Sequence, residues 1–142
     1  PNVLTPAGFH RYEVASYARE GFECKHNIAY WTGVPYLGLG ISAVTMTQND
    51  ARRMRVQDGE VQDDLDRKQM CAEDLMMKMR MTRGVSDDEL FAAAVVIPGA
   101  LDVFNSLVRD KLVKREDGRW KPTFGGWLLG NELYGRIYEL AP

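Results

Sequence analysis

Apolar residues recur at helical spacing through most of the second half of the chain. Ala72, Leu75, Met76 and Met79 fall on one face of a helix predicted from Leu65 to Thr82. Asp63, Asp64 and Asp66 suit the positive end of that helix, Lys78, Arg80 and Arg83 suit its negative end, and Gly84 can terminate it. Ser86-Asp87-Asp88-Glu89 spells a capping box, with the serine three residues before the glutamate, and opens a helix that Pro98-Gly99 ends. Leu101, Phe104, Leu107, Val108 and Leu112 predict a third helix. Val113 to Lys121 reads as a short hairpin turning at Asp117-Gly118, and a last helix is predicted from about Phe124 to Leu140. Helix, helix, hairpin, helix is the order of a winged-helix-like module.

The first part of the chain carries a different pattern. Tyr12 to Tyr17 alternates imperfectly, is rich in strand formers and predicts a strand. Tyr36 to Thr45 is apolar with interspersed small residues, which predicts a buried strand with close backbone neighbours. Arg53 to Gln57, ahead of the Asp58-Gly59 turn signal, reads as one arm of a hairpin. The class that follows is α+β, and no internal repeat or low-complexity stretch interrupts it.

Composition changes this picture little. The 142 residues are 45% apolar and 27% charged, with a formal net charge of −2. A chain of this length buries about 68–70% of its unfolded surface, enough for a real core. The balanced charge argues against a polycationic nucleic-acid coat. No apolar run approaches the roughly 20 residues that span a bilayer. No basic-then-apolar leader opens the chain, so a cytoplasmic location without stable membrane insertion is expected. Two cysteines, Cys24 and Cys71, make a disulfide framework unexpected. The opening Pro1-Asn2-Val3, with no initiating Met, suggests a fragment.

Chemistry concentrates between Gly21 and Trp31, where His26, Asn27, Tyr30 and Trp31 fall within six positions. An imidazole can bind iron or move a proton, and the two aromatic rings offer flat faces to a planar ligand. On chemistry alone the commoner reading of these residues is a structural turn, with His26 and Asn27 bonded to backbone and the aromatics in the core. A structural zinc site is disfavoured, because beyond Cys24 and His26 the only other histidine is His10. Gly38-Leu39-Gly40 lacks the third glycine of a dinucleotide loop and reads as close backbone approach. Five of the seven methionines lie between Met70 and Met81, a pattern of adaptable core packing. Arg80, among them, is expected to meet an acidic side chain. Arg109, Lys111, Lys114, Arg115, Arg119 and Lys121 surround the predicted wing and would suit phosphate contacts, but Asp110, Glu116 and Asp117 dilute them toward a solvated mixed-charge face.

Three stretches in order carry a resemblance: Tyr12 to Arg19, then His26-Asn27-x-x-Tyr30-Trp31-x-Gly33, then Tyr36-Leu37-Gly38-Leu39-Gly40. Glu73 to Val85 and Lys121-Pro122-Thr123-Phe124-Gly125-Gly126 extend it. Together they resemble the oxygen-independent coproporphyrinogen III oxidase-like family of radical S-adenosylmethionine proteins. The resemblance implies the last strands of a partial (β/α) radical SAM barrel over residues 1–48, followed by a mainly helical, winged-helix-like C-terminal domain over 49–142. It implies a [4Fe–4S] cluster and S-adenosylmethionine in a longer parent, whose N-terminal barrel is missing here. The family's Cys-x-x-x-Cys-x-x-Cys is absent, so this chain alone is expected to be inactive.

One branch of the family decarboxylates coproporphyrinogen III; a sister branch is a haem chaperone. The spelling at His26 to Trp31 resembles the chaperone branch, which implies haem as partner, His26 as axial-ligand candidate, and Asn27, Tyr30 and Trp31 around the porphyrin. Leu39, Gly40, Ile41 and Ser42 are implied to line the S-adenosylmethionine side of the barrel. The stretch Gly38 to Val44 holds no histidine, which is closer to the oxidase branch, with coproporphyrinogen as its partner. A winged-helix module binding nucleic acid or a protein partner is the competing reading, resting on the 109–121 cluster; nucleic acid is not the expected partner.

Overall fold

The computed structural model describes residues 3–142; Pro1 and Asn2, where the fragment-like opening begins, lie outside the described residues. After a short 3-10 turn at Thr5–Ala7, two-residue strands β1 (His10–Arg11) and β2 (Tyr17–Ala18) pair antiparallel. Helix α1 spans Lys25–Trp31. A three-stranded meander follows: β3 (Val44–Gln48), β4 (Arg52–Gln57) and β5 (Glu60–Asp66). Then come α2 (Arg67–Lys78), β6 (Val85–Ser86), α3 (Asp87–Val96) and α4 (Ala100–Arg109). The chain ends with β7 (Val113–Glu116), β8 (Arg119–Pro122), α5 (Phe124–Leu128) and α6 (Gly130–Tyr138). The result is a mixed α/β chain with three small antiparallel sheets among the described residues, the last in the order β6-β8-β7. No helix of the described residues is long and apolar enough to cross a membrane.

The core lies in the helical half. Leu75 and Met79 of the α2 region, Leu90 of α3, Phe104 and Leu107 of α4, and Leu133 and Ile137 of α6 pack into one buried cluster. Trp120 of β8 closes it, its ring meeting Phe104 edge-on at 5.8 Å. Met77, Met79 and Met81 are buried, so the methionine stripe is core packing.

Local signals set the element ends. Asp66 caps α2, its carboxylate accepting from the Lys68 and Gln69 backbone N–H groups while Gln69 reaches back. The helix therefore starts after Asp66, and Asp63 and Asp64, expected at its positive end, instead sit in β5 beside Arg55 and Arg52. Ser86 caps α3 as its spelling predicts: its Oγ accepts from the Glu89 N–H at 3.2 Å and Glu89 accepts from the Ser86 N–H at 2.7 Å. Ser86→Ala is expected to cost about 1 kcal/mol, read as a lower urea midpoint at unchanged slope; an unshifted midpoint would show that the cap adds nothing.

Three expectations need correction. Tyr12 to Tyr17 is the bend of a small hairpin, with only its ends paired, because Glu13 turns away to bridge Met81. Of the stretch Tyr36 to Thr45, residues up to Ala43 form a loop with a single bridge at Tyr36, and only Val44 and Thr45 enter the paired strand β3. The last helix is two, broken at Leu129, whose ψ of 37° departs from helical geometry.

Candidate functional site

Helix α1 spans seven residues and has no side-chain cap, so packing of its side chains holds it in place. Residues four apart share a face, which divides the His26-Asn27-x-x-Tyr30-Trp31 motif in two. Asn27 and Trp31 face inward. The Asn27 amide donates to the Tyr12 hydroxyl at 3.2 Å, and the Trp31 indole N–H donates to Glu13 at 3.2 Å. Glu13 is 2% exposed, and its other carboxylate oxygen accepts from the Ala15 N–H. The Arg80 guanidinium lies over the rings of Trp31, at 5.3 Å, and Tyr134, at 4.5 Å. It makes no ion pair among the described residues, which corrects the expected acidic partner: the two aromatic faces hold the cation instead.

His26 and Tyr30 face outward. The His26 ring is exposed, makes no hydrogen bond among the described residues, and packs against Tyr30 with centroids 5.1 Å apart. Tyr30 in turn stacks on Tyr36 at 4.7 Å. Desolvation, followed by the neighbouring Tyr36, raises the Tyr30 hydroxyl above its ordinary pKa. The motif is therefore a clamp: one pair anchors the helix, and the other presents an imidazole beside an aromatic stack.

Leu39, Gly40, Ile41 and Ser42 lie in the loop after Tyr36. Leu39 and Ile41 are 83% and 96% exposed, and Leu37 nearby is 73% exposed. Ser42 has both backbone groups engaged, its N–H donating to Asp58 and its carbonyl accepting from Gln57. Gly38 is needed for close approach, since a Cβ there would sit 2.5 Å from the Val44 carbonyl oxygen. The structure does not bring this loop's side chains together with His26 in one enclosed pocket.

The basic cluster at the wing is largely occupied. Arg115 grips Asp87 through two hydrogen bonds and lies over the Trp120 ring. Arg119 donates to the Arg83 and Gly84 carbonyls, and Lys114 and Lys121 share the carboxylate of Glu116. Cys24 and Cys71 are free thiols, and burial raises the Cys71 pKa. Among the described residues no group of three or more His, Cys, Asp or Glu side chains could hold a metal ion. A [4Fe–4S] cluster does not fit the donors of this chain, which has two cysteines.

Sequence reasoning missed the ionic centre between β4 and α2. Arg53, its side chain 1% exposed, is held by Glu73 and by Asp74 at 2.7 Å, while Arg55 reaches the same Glu73 at 2.9 Å. The only signal was an excess of arginines on a strand flanked by acidic residues.

Comparison with known proteins adds a relationship to this geometry. The chain is similar to a set of heme chaperones and to a protein with a radical S-adenosyl methionine domain. It is 54% identical over 43 residues to the heme chaperone HemW of Synechocystis sp., a match covering 30% of this chain and 10% of that protein. It is 28% identical over 149 aligned positions to the HemW of Bacillus subtilis, covering 90% of this chain and 38% of the relative. A Danio rerio protein named radical S-adenosyl methionine domain-containing protein 1, mitochondrial, is 46% identical over 41 residues, 29% of this chain and 9% of its own length. The chain thus spans about a tenth to two fifths of the curated relatives it matches. No family model and no solved structure matches it. The resemblance drawn from the motifs stands as a similarity: over the matched stretches the chain is similar to HemW heme chaperones.

Proposed function

We propose that this chain is the C-terminal part of a radical S-adenosylmethionine haem chaperone, and that His26 is the ligand it offers to haem iron. The observation that carries the reading is the split of the α1 motif: Asn27 and Trp31 are tied to Tyr12 and Glu13, and His26 is left exposed and without a hydrogen bond among the described residues. An imidazole held on an anchored helix, with its ring free of hydrogen bonds among the described residues, is suited to axial ligation. Haem is cargo in this reading. Tyr30, stacked on Tyr36, gives one apolar face beside the iron.

Residues 1–48 are then the end of the radical SAM barrel, and the exposed Leu37, Leu39 and Ile41 face the rest of it. Leu39, Ile41 and the Gly40 N–H would offer backbone groups toward S-adenosylmethionine, whereas the Gly40 carbonyl already accepts from the Ala43 N–H and both backbone groups of Ser42 are engaged. Residues 49–142 form the C-terminal domain. The succession α2, β6, α3, α4, β7, β8 with sheet order β6-β8-β7 supports the winged-helix-like description. Because the residues here do not fit the cluster, the chemistry of radical generation belongs to the longer parent. A second reading, a coproporphyrinogen III dehydrogenase, is favoured by one observation: Gly38 to Val44 carries no histidine.

The test is a haem titration followed by absorbance on the chain and on His26→Ala. A histidine-ligated Soret band that disappears in the variant, with affinity reduced about tenfold or more, is the expected result. Identical spectra and affinities would overturn ligation by His26.

A further inference from the structure

A groove of about 910 Å³ runs between the N-terminal hairpin with α1, the turn after α2, and the wing. Its floor is apolar, formed by Ile28, Met81, Pro122 and Phe124. Phe124 is 66% exposed there, an uncovered aromatic at the start of α5. Its rim is cationic: five Arg and Lys side chains line the groove against two glutamates, in a chain whose net charge is −2.

The wing explains how this charge is displayed. Strand alternation places Lys114 and Glu116 of β7, and Arg119 and Lys121 of β8, on the groove face, while Val113 and Trp120 enter the core. Lys114 stands directly opposite Lys121 in the ladder. Like charges so placed repel, and Glu116, at 2.9 and 3.3 Å from the two ammonium groups, offsets only one of them. Arg83, on the other wall, makes no side-chain hydrogen bond or ion pair among the described residues. A cation pair that shares one carboxylate, and a guanidinium without a side-chain partner among the described residues, flank an apolar floor and complement a ligand that is apolar in its body and anionic at its edge. The volume lies at the upper end of small-molecule sites, about 300–1,000 Å³. An acidic protein segment would need polar partners along the floor, where Ile28, Met81 and Phe124 supply none.

We propose that this groove binds an amphipathic organic dianion, with two carboxylates held by Lys114, Lys121 and Arg83 and an apolar body over Ile28, Met81 and Phe124. The choice of a tetrapyrrole dicarboxylate as probe rests on the haem reading above; the groove does not, because His26 is not among its lining residues.

The experiment titrates metal-free protoporphyrin into the 142-residue chain by fluorescence, beside its neutral dimethyl ester. Without iron, His26 has nothing to ligate, so His26→Ala binds like the parent. The ester binds about tenfold or more weakly than the free acid. Lys114→Glu with Lys121→Glu weakens the free acid by a similar factor or more. Arg83→Glu, outside the sheet, does the same with an unchanged unfolding midpoint. Equal affinity for acid and ester, or indifference to both charge reversals, overturns the proposal. So does tighter binding of a hexaglutamate peptide that displaces the porphyrin, which would assign the groove to an acidic protein segment. Haem binding through His26 with no binding of metal-free porphyrin overturns the groove and leaves the haem reading intact. Groove binding with a haem spectrum unaltered in His26→Ala does the reverse.

Discussion

Glu73→Ala is expected to destabilise the chain by about 2–3 kcal/mol, because it removes one of the two carboxylates that hold a buried guanidinium. The Arg53 side chain is 1% exposed and that of Glu73 11%, so little water can replace the lost carboxylate. Asp74 and Gln48 still accept from Arg53, but the charge shared between Arg53 and Arg55 is gone, and the two cations then face each other. Urea unfolding measures the loss; a change below about 1 kcal/mol would place the pair in the class of exposed salt bridges. Arg53→Met with Glu73→Leu, which removes both charges at similar volume, should recover much of the loss. The same centre sets an acid response. Burial alone pushes the Glu73 carboxyl up, but hydrogen bonds from Arg55 and Arg53 outweigh it and hold the pKa below the ordinary value. A depressed folded-state pKa contributes stability that is present above the unfolded value, about 4.3, and is lost as pH falls through the folded one. The parent should therefore lose stability more steeply below about pH 4.3 than Glu73→Gln does.

The helical half was legible because its signals are local. Ser86 with Glu89, and Asp66 with Gln69, satisfy helix-end donors within one turn of chain. Asp58-Gly59 and Asp117-Gly118 both have positive φ at each residue, which is what a two-residue hairpin turn of this kind requires. The break at Leu129 was not legible, since apolar spacing continues through it. Leu37, Leu39 and Ile41 alternate as a covered strand face does, and pattern alone says that a face exists, not what covers it. The capping role of Asp66 was readable; that Asp63 and Asp64 would stay in a strand depended on Arg52 and Arg55 across the ladder.

The candidate site divides in the same way. The residue types of the His26 to Trp31 motif were visible, but their two roles follow only once the segment is helical, which places His26 with Tyr30 and Asn27 with Trp31. Arg80 was expected to meet a carboxylate because charge pairing is the commoner solution; the fold instead brings Trp31 and Tyr134 to it from 49 residues before and 54 after. The groove is assembled from residues 10–28, 81–83 and 114–124, and no single window of sequence contains the whole of its cationic rim and apolar floor.

Phe104→Ala tests whether that groove and the His26 helix are separable. Phe104 is fully buried at the centre of the core, so truncation should cost about 3–5 kcal/mol and lower Tm by roughly 10–15 °C. Its ring supports Trp120 edge-on, and Trp120 in turn donates its indole N–H to Asp87 at 2.8 Å and carries Arg115 on its face. Removing Phe104 therefore loosens the strand that displays Lys121, and with it the opposition of Lys114 and Lys121 across the ladder. Helix α1 hangs on different contacts, Tyr12, Glu13 and Arg80. Below its melting temperature the variant should bind metal-free porphyrin more weakly while keeping the histidine-ligated haem spectrum of the parent. Loss of both together would mean that the helical core positions α1 as well as the wing, and that iron and carboxylates are read by one coupled surface rather than two.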